Sequence, residues 1–493
     1  MDYFDELYSV SDLHMGGEPG GQIFSQGKEL AALIGLLRLR PADRKVALVL
    51  NGDIVDFLAE DIKSKQYLKP ERAITILERI FSDPAFALVW QALGDFVRSE
   101  NRFLVICLGN HDVELALPWS RDRIDRELAQ HDTAAKRRIL WRVNGEGFAC
   151  QVGPASVFCT HGNEVDNWNR VDYGQLKKLV MAREAGTPLP KWDPNAGTQL
   201  VVDVMNQVKE ALPFVDLLKP ETEIVPPMIL SVYPDALKLL QHFGSILFRR
   251  VRETVRTGRL GGSDGLSAHD LEQAEADFIR GLVVGKGGMQ PAGKTQPAER
   301  ILQQMEEDFR AGKRPLAVLD QEGNDATLGT WGLAWDSLLG RPKHVALRAA
   351  IRDWLKGDHT FDLSTQDETF TRLDQDVAAN YDFVLAGHTH LARALRRRNG
   401  AGMYYNSGTW IRLIRLTDAV LGSDSAFKPA YEALTQGTMD AIDRAENLVL
   451  KIPTVVCLVA DAEQTVGQLA RVRMDGDHAV LDPEPQTRFT KKK

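Results

Sequence analysis

Five short polar motifs, each directly behind a run of apolar residues, constrain this chain more than any other feature. They are Ser11-Asp12-Leu13-His14, Asn51-Gly52-Asp53-Ile54-Val55-Asp56, Gly109-Asn110-His111-Asp112, Thr160-His161-Gly162 and Gly387-His388-Thr389-His390. The runs that carry them cover residues 7–11, 46–50, 103–108, 156–159 and 382–387, with helical patterns such as 28–40 and 71–81 between the early ones. Short apolar runs separated by helices predict an α/β sheet buried on both faces. In open α/β sheets ligands bind beyond the carboxyl ends of the strands, so all five motifs are expected to converge there. The single residue inside Asp12-x-His14 and His388-x-His390 puts each pair on one face, provided the backbone stays extended.

Between the fourth and fifth motifs the pattern changes. Residues 201–212, 236–255, 298–311 and 344–355 read as helices, and 258–265 and 281–293 are glycine-dense, as flexible connections are. A structureless loop of that length has no place in a compact domain. The chain therefore divides into a first core part (1–164), a mainly helical insertion (165–380) and a second core part (381–493). In the last part, strands are expected at 403–406, 453–459 and 465–474, with a helical stretch at 426–445 and a solvated Lys491-Lys492-Lys493 tail.

Bulk properties bound the class and lower the nucleic-acid reading without removing it. The 493 residues are 44% hydrophobic and 26% charged, ordinary for a globular protein. A net charge of -8 lacks the basic excess of most nucleic-acid binders. The four cysteines, Cys107, Cys150, Cys159 and Cys457, form no CxxC pair, which suits reduced thiols. The acidic start has no signal-peptide pattern, and no apolar run reaches the length of a membrane span. A cytoplasmic protein, at most peripheral to a membrane, is expected.

Asp, Asn and His offer oxygen and imidazole ligands suited to divalent manganese, iron or zinc. Any one motif is weak, but all five in this order behind strands indicate a metal site. The set resembles the calcineurin-like metallophosphoesterase superfamily, whose pattern runs D-x-H, G-D-x-x-D, G-N-H-D/E, H and G-H-x-H; the resemblance covers roughly residues 1–165 and 381–412. It implies a four-layer α-β-β-α sandwich, with the late strands helping to build the second sheet. It also implies two divalent ions, manganese first, with iron, zinc or magnesium as alternatives. Asp12, His14, Asp53 and His390 would hold one ion; Asp53, Asn110, His161 and His388 would hold the other. His111 would stabilise the transition state or protonate the leaving oxygen, with Asp112 orienting it. Asp56 is open between supporting a ligand and capping a helix.

The implied reaction is hydrolysis of a phosphomonoester, phosphodiester or pyrophosphate in a small-molecule or lipid-linked substrate. In style the first two motifs are nearest the bacterial branch containing UDP-2,3-diacylglucosamine pyrophosphatase, although members of that branch carry arginine at the position of His111 and a far shorter insertion. A DNA nuclease of the same superfamily and a non-catalytic scaffold on this fold are the alternatives. Three further segments invite a role. Phe243 to Arg252 mixes apolar and basic residues, as a membrane-facing or cap helix would. Arg393, Arg396, Arg397 and Arg398 would draw anionic substrates or form a solvated hairpin edge. Asn406-Ser407-Gly408-Thr409-Trp410 is expected to buttress the site.

Overall fold

The computed structural model describes residues 1–60, 68–195, 197–198, 201–219, 342–355 and 357–493. The helices expected at 236–255 and 298–311, both glycine-dense stretches and the segment from Phe243 to Arg252 lie outside the described residues. The chain forms two compact units: Met1–Asn206 with His359–Arg412 and Lys451–Lys493, and Gln207–Asp358 with Leu413–Leu450.

The first unit holds two sheets. Strands β1 (Asp2–Phe4), β2 (Glu6–Val10), β3 (Val46–Asn51), β4 (Arg102–Cys107) and β5 (Ile139–Arg142) come first. They are followed by β6 (Phe148–Val152), β7 (Ala155–Cys159), β8 (Phe383–Ala386), β9 (Ala392–Arg396) and β10 (Met403–Ser407). One sheet runs β1-β6-β7-β8-β10-β9. In the second unit β11 (Leu413–Ile414) pairs antiparallel with β12 (Val449–Leu450). The last strands, β13 (Thr454–Ala460), β14 (Gln464–Asp475), β15 (His478–Pro483) and β16 (Phe489–Lys492), return to the first unit. They complete the larger sheet, β15-β14-β13-β2-β3-β4-β5, with β16 paired to β14. The late strands thus extend the sheet of the first three motifs through β13 beside β2, rather than building the other one.

Three apolar cores give four layers. Leu7, Val49, Val105, Cys150, Val157, Leu385, Tyr405 and Val456 fill the space between the sheets. On the outer face of the large sheet, Val10, Leu48, Leu50 and Leu104 meet Leu33 and Ile34 of α1 (Gly27–Arg38), Leu77 of α2 (Pro70–Ser82), Phe96 of α3 (Ala87–Arg98) and Leu128 of α4 (Pro118–Ala129). On the outer face of the smaller sheet, Val384 and Tyr404 pack with Phe370 and Leu373 of the helix Glu368–Asp376. Both sheets are covered on both sides, which is why their central strands carry no polar alternation. The result is the expected α-β-β-α sandwich.

Register aligns the motifs. Val10 pairs with Leu50, and Leu50 with Ile106, in parallel ladders. Across the smaller sheet Cys159 pairs with Leu385, and Leu385 with Tyr405. The segments starting at Ser11, Asn51, Leu108, Thr160 and Gly387 therefore all leave the strands at their carboxyl ends. In the second unit, the helix expected at 426–445 is two helices, Asp424–Gln436 and Met439–Arg444. Gly437, at φ 68, closes the first of them in a left-handed cap that continuing helix would not allow.

Candidate metal centre

The five motifs meet through their backbones before their side chains do. The amides of Leu13 and His14 both donate to the Asp53 carbonyl at 2.9 Å, and the Asp12 amide donates to Gly52 at 3.1 Å. Gly387 N donates to the His161 carbonyl at 2.8 Å, and His388 N to both carboxylate oxygens of Asp12 at 3.0 and 3.1 Å. Asn51 ties the two sheets together here. Its side-chain amide donates to the Thr160 carbonyl at 2.8 Å, and its carbonyl accepts from His161 Nδ1 at 2.8 Å.

These loops are not extended. Asp12, His14, Asp53, His388 and His390 all have positive φ, between 48° and 72°. Alternation along a strand therefore does not pair Asp12 with His14 or His388 with His390, as the sequence suggested. Each side chain is aimed by a left-handed turn, a conformation costly for non-glycine residues and concentrated at functional sites. Close backbone approach also fixes the glycines. A Cβ on Gly109 would lie 2.1 Å from Asp53 Oδ1, and one on Gly52 would lie 2.4 Å from His161 Nδ1.

The side chains form three overlapping groups: Asp12, His14 and His390; His14, Asp53 and His111; and Asp53, His161 and His388. Within each, one nitrogen or oxygen per residue lies within 4.8 Å of the others. His14 Nε2 is 3.1 Å from His390 Nε2 and 3.8 Å from Asp53 Oδ2, while His390 Nε2 is 3.4 Å from Asp12 Oδ1. His161 Nε2 is 3.2 Å from Asp53 Oδ2. Asp53 is thus common to two groups. Asn110 sits between Gly109 and the His111 amide, which donates to Asp53 Oδ1 at 2.8 Å; its own Oδ1 is buried with no hydrogen-bond partner among the described residues. Converging imidazole nitrogens, carboxylates and an orphaned amide oxygen repel one another unless positive charge lies among them, so the donor set fits divalent cations.

Outer partners set the histidine tautomers. His161 Nδ1–H donates to the Asn51 carbonyl, which makes Nε2, facing Asp53, the nitrogen that would give up its proton to ligate a cation. His14 Nδ1 lies 3.3 Å from Asp56 Oδ2 in the same arrangement. Burial alone would raise the carboxyls of Asp53 and Asp56. The surrounding histidines, His161 and His111 for Asp53 and His111 and His14 for Asp56, hold both well below the usual range. Burial opposes a proton on His161, yet the charges of Asp53 and Asp12 raise it to about 10. In the metal-free protein that proton compensates the carboxylates, and a cation would have to displace it.

Three assignments change. Both oxygens of Asp112 are taken by main-chain amides, Gly109 N and Ile54 N, each at 2.7 Å, so this residue locks two motif loops together. Asp56 meets the His111 ring instead, with Oδ1 3.3 Å from Nδ1. Asp56 also accepts from the amides of Leu58 and Ala59, so ligand support and turn capping fall to one carboxylate. Arg393 and Arg397 are buried, neither drawing anions nor lying solvated. Arg397 pairs with Asp374 and donates to the carbonyls of Val377, Ala378 and Tyr381. Arg393 donates to Asp362, Ala392 and Thr360. Arg396 and Arg398 are exposed, the Arg396 guanidinium lying over the Phe489 ring. The segment after β10 buttresses the centre: Asn406 donates to the Gly387 carbonyl and Thr409 to that of Asp12.

Among the described residues no helix is long and apolar enough to cross a membrane. None of the curated proteins compared with the chain matches it significantly. Residues 7–206, which carry four of the five motifs, match the family model described as calcineurin-like phosphoesterase.

Proposed function

We propose that the protein is a two-metal phosphoesterase that hydrolyses a phosphomonoester, phosphodiester or pyrophosphate bond. The observation that carries this reading is the buried carboxylate of Asp53, shared by two groups of converging ligand atoms. Asp12, His14, Asp53 and His390 would hold one ion, and Asp53, Asn110, His161 and His388 the other, with manganese the first choice. When bound, such a pair supplies charge neutralisation for the phosphate and lowers the pKa of water. The chain's own contribution is placement. Asn51 and Asp56 fix which nitrogen of His161 and His14 is a donor. His111 stands at the opening, its side chain 18% exposed while Asp56 is 3% exposed. With Nδ1 turned to Asp56, Nε2 is the ring nitrogen that would carry a proton to the leaving oxygen. Asp56 both orients that ring and stabilises its charged form.

Manganese-loaded protein is expected to cleave bis(p-nitrophenyl) phosphate or p-nitrophenyl phosphate, and Asp53→Asn to abolish turnover. His111→Ala should retain both ions and lose about 10²–10⁴-fold in kcat, the usual worth of a general acid. Wild-type protein that carries two ions yet is inert on both esters, and on nucleotides, sugar diphosphates, lipid-linked diphosphates and single-stranded DNA, would refute the enzyme reading. Lipid-linked diphosphates are included because of the motif style shared with the UDP-2,3-diacylglucosamine pyrophosphatase branch. In a cytoplasmic protein such a substrate would be met at the membrane surface.

A further inference from the structure

His14 and His161 each have one ring nitrogen held by an oxygen and the other aimed into the centre. His388, grouped with Asp53 and His161, likewise has one ring nitrogen at an oxygen. Its Nε2 lies 2.9 Å from Asp166 Oδ2. Asp166 stands five residues beyond His161, in a short turn whose geometry is fixed independently of the histidine. The Trp168 amide donates to Oδ1 at 2.8 Å, and Asn169 Nδ2 to Oδ2 at 2.7 Å. Asn163 and Asn195 both donate to the Asn169 carbonyl at 3.1 Å, and Arg372 donates to the Val165 carbonyl at 2.7 Å. The carboxylate is thus clamped from its own side before it meets His388. A neutral imidazole carries one N–H and one lone pair. Once Nε2–H is committed to Asp166, the lone pair is on Nδ1.

We infer that Asp166 is a positioning residue which fixes the tautomer and rotation of His388, so that Nδ1 is the donor atom completing the group with Asp53 and His161. The inference rests on the two-metal reading above and extends it to a residue outside the five motifs. Carboxylate partners of this kind are worth about 10–100-fold in metal affinity. Asp166 would act on one ion only, because the Asp12, His14 and His390 group does not include His388.

The test is made on the full chain, in two parts. In metal-free protein with ¹⁵N-labelled histidine, the His388 signals, assigned by their loss in His388→Asn, are expected to show the Nε2–H tautomer. Asp166→Ala should shift them to a mixture of tautomers. Manganese titration followed by calorimetry should show one of two sites weakened about 10–100-fold in Asp166→Ala, and less in Asp166→Asn, which keeps an oxygen acceptor. Unchanged His388 signals, or equal weakening of both sites, would overturn the inference. Should Asp166→Ala not fold, Asp166→Asn carries the same two readouts. Failure of the two-metal reading is distinct: wild-type protein would then bind fewer than two ions.

Discussion

Replacing Gly52 with alanine tests whether the backbone of the second motif is what holds His161 in the centre. Gly52 has φ 87°, and a Cβ there would lie 2.4, 2.5 and 2.8 Å from Nδ1, Cγ and Cβ of His161. His161 is wholly buried and bonded to the Asn51 carbonyl, so it has no free direction of retreat. Left-handed strain for alanine costs about 1–2 kcal/mol. Forcing a packed side chain aside adds about 1–3 kcal/mol, and breaking the His161–Asn51 bond adds about 1 kcal/mol. Gly52→Ala should therefore lose about 3–6 kcal/mol. Gly20→Ala is the control: φ is 88°, but nothing lies within 4 Å of the added Cβ, so only the strain remains. Urea unfolding with chelator present, followed by tryptophan fluorescence, measures both variants. Manganese content after dialysis should fall by one ion in Gly52→Ala alone. Equal destabilisation of the two variants, with full metal content in both, would refute the steric argument.

Three other outcomes are expected. Burial pushes the Glu114 carboxyl up to about 7, against the pull of Arg72. Folded protein then binds this proton more tightly than unfolded chain, so stability falls as pH rises from about 4.5 to 7, by on the order of 3 kcal/mol, and Glu114→Gln should flatten that slope in denaturation curves. Glu6 has the opposite sign. Burial would raise it, but hydrogen bonds from Arg40 and Tyr8 and the charges of Arg40 and Arg44 hold it low, so its contribution is present above pH about 4.5 and fades as acid titrates the folded carboxylate. Glu6→Gln should cost about 1–3 kcal/mol at pH 7, moderated because both arginines are partly exposed, and progressively less as acid titrates the folded carboxylate. Arg397→Ala should lose about 3–5 kcal/mol by stranding Asp374 and three carbonyls, whereas Arg396→Ala should stay within about 0.5 kcal/mol in the same melts.

Much of the centre was legible because chemistry and chain order coincide. Asp12, His14, Asp53, His111, His161, His388 and His390 are residue types with little other reason to follow buried strands, and the structure brings them within reach of one another. What escaped were partners defined by distance rather than type. Asp166 and Asn51 look like ordinary loop and strand-end residues, and only the folded arrangement puts one on His388 and the other between the sheets. A weak signal for Asp166 existed in its spacing after His161, but such spacing is common in turns. Asp112 was misassigned because adjacency to His111 suggested contact, whereas neighbours along a tight loop point apart. Arg393 and Arg397 misled for the opposite reason. Four arginines within six residues look solvated, but an arginine that can satisfy carbonyls on all sides is stable indoors. The late strands were found, but their sheet could not be, since pairing partners are not encoded in a strand's own pattern.

Positive φ at Asp12, His14, Asp53, His388 and His390 bears on whether this centre could be transplanted. At roughly 1 kcal/mol or more for each left-handed residue, five such positions add up to about the whole net stability of a small domain. No short peptide carrying one of the motifs would adopt its bound shape alone. The motifs are legible as letters, but their geometry is imposed by the ladders, the Asn51 clamp and the Thr409 contact around them. A designer copying the seven candidate ligand residues onto another scaffold would have to copy those constraints first.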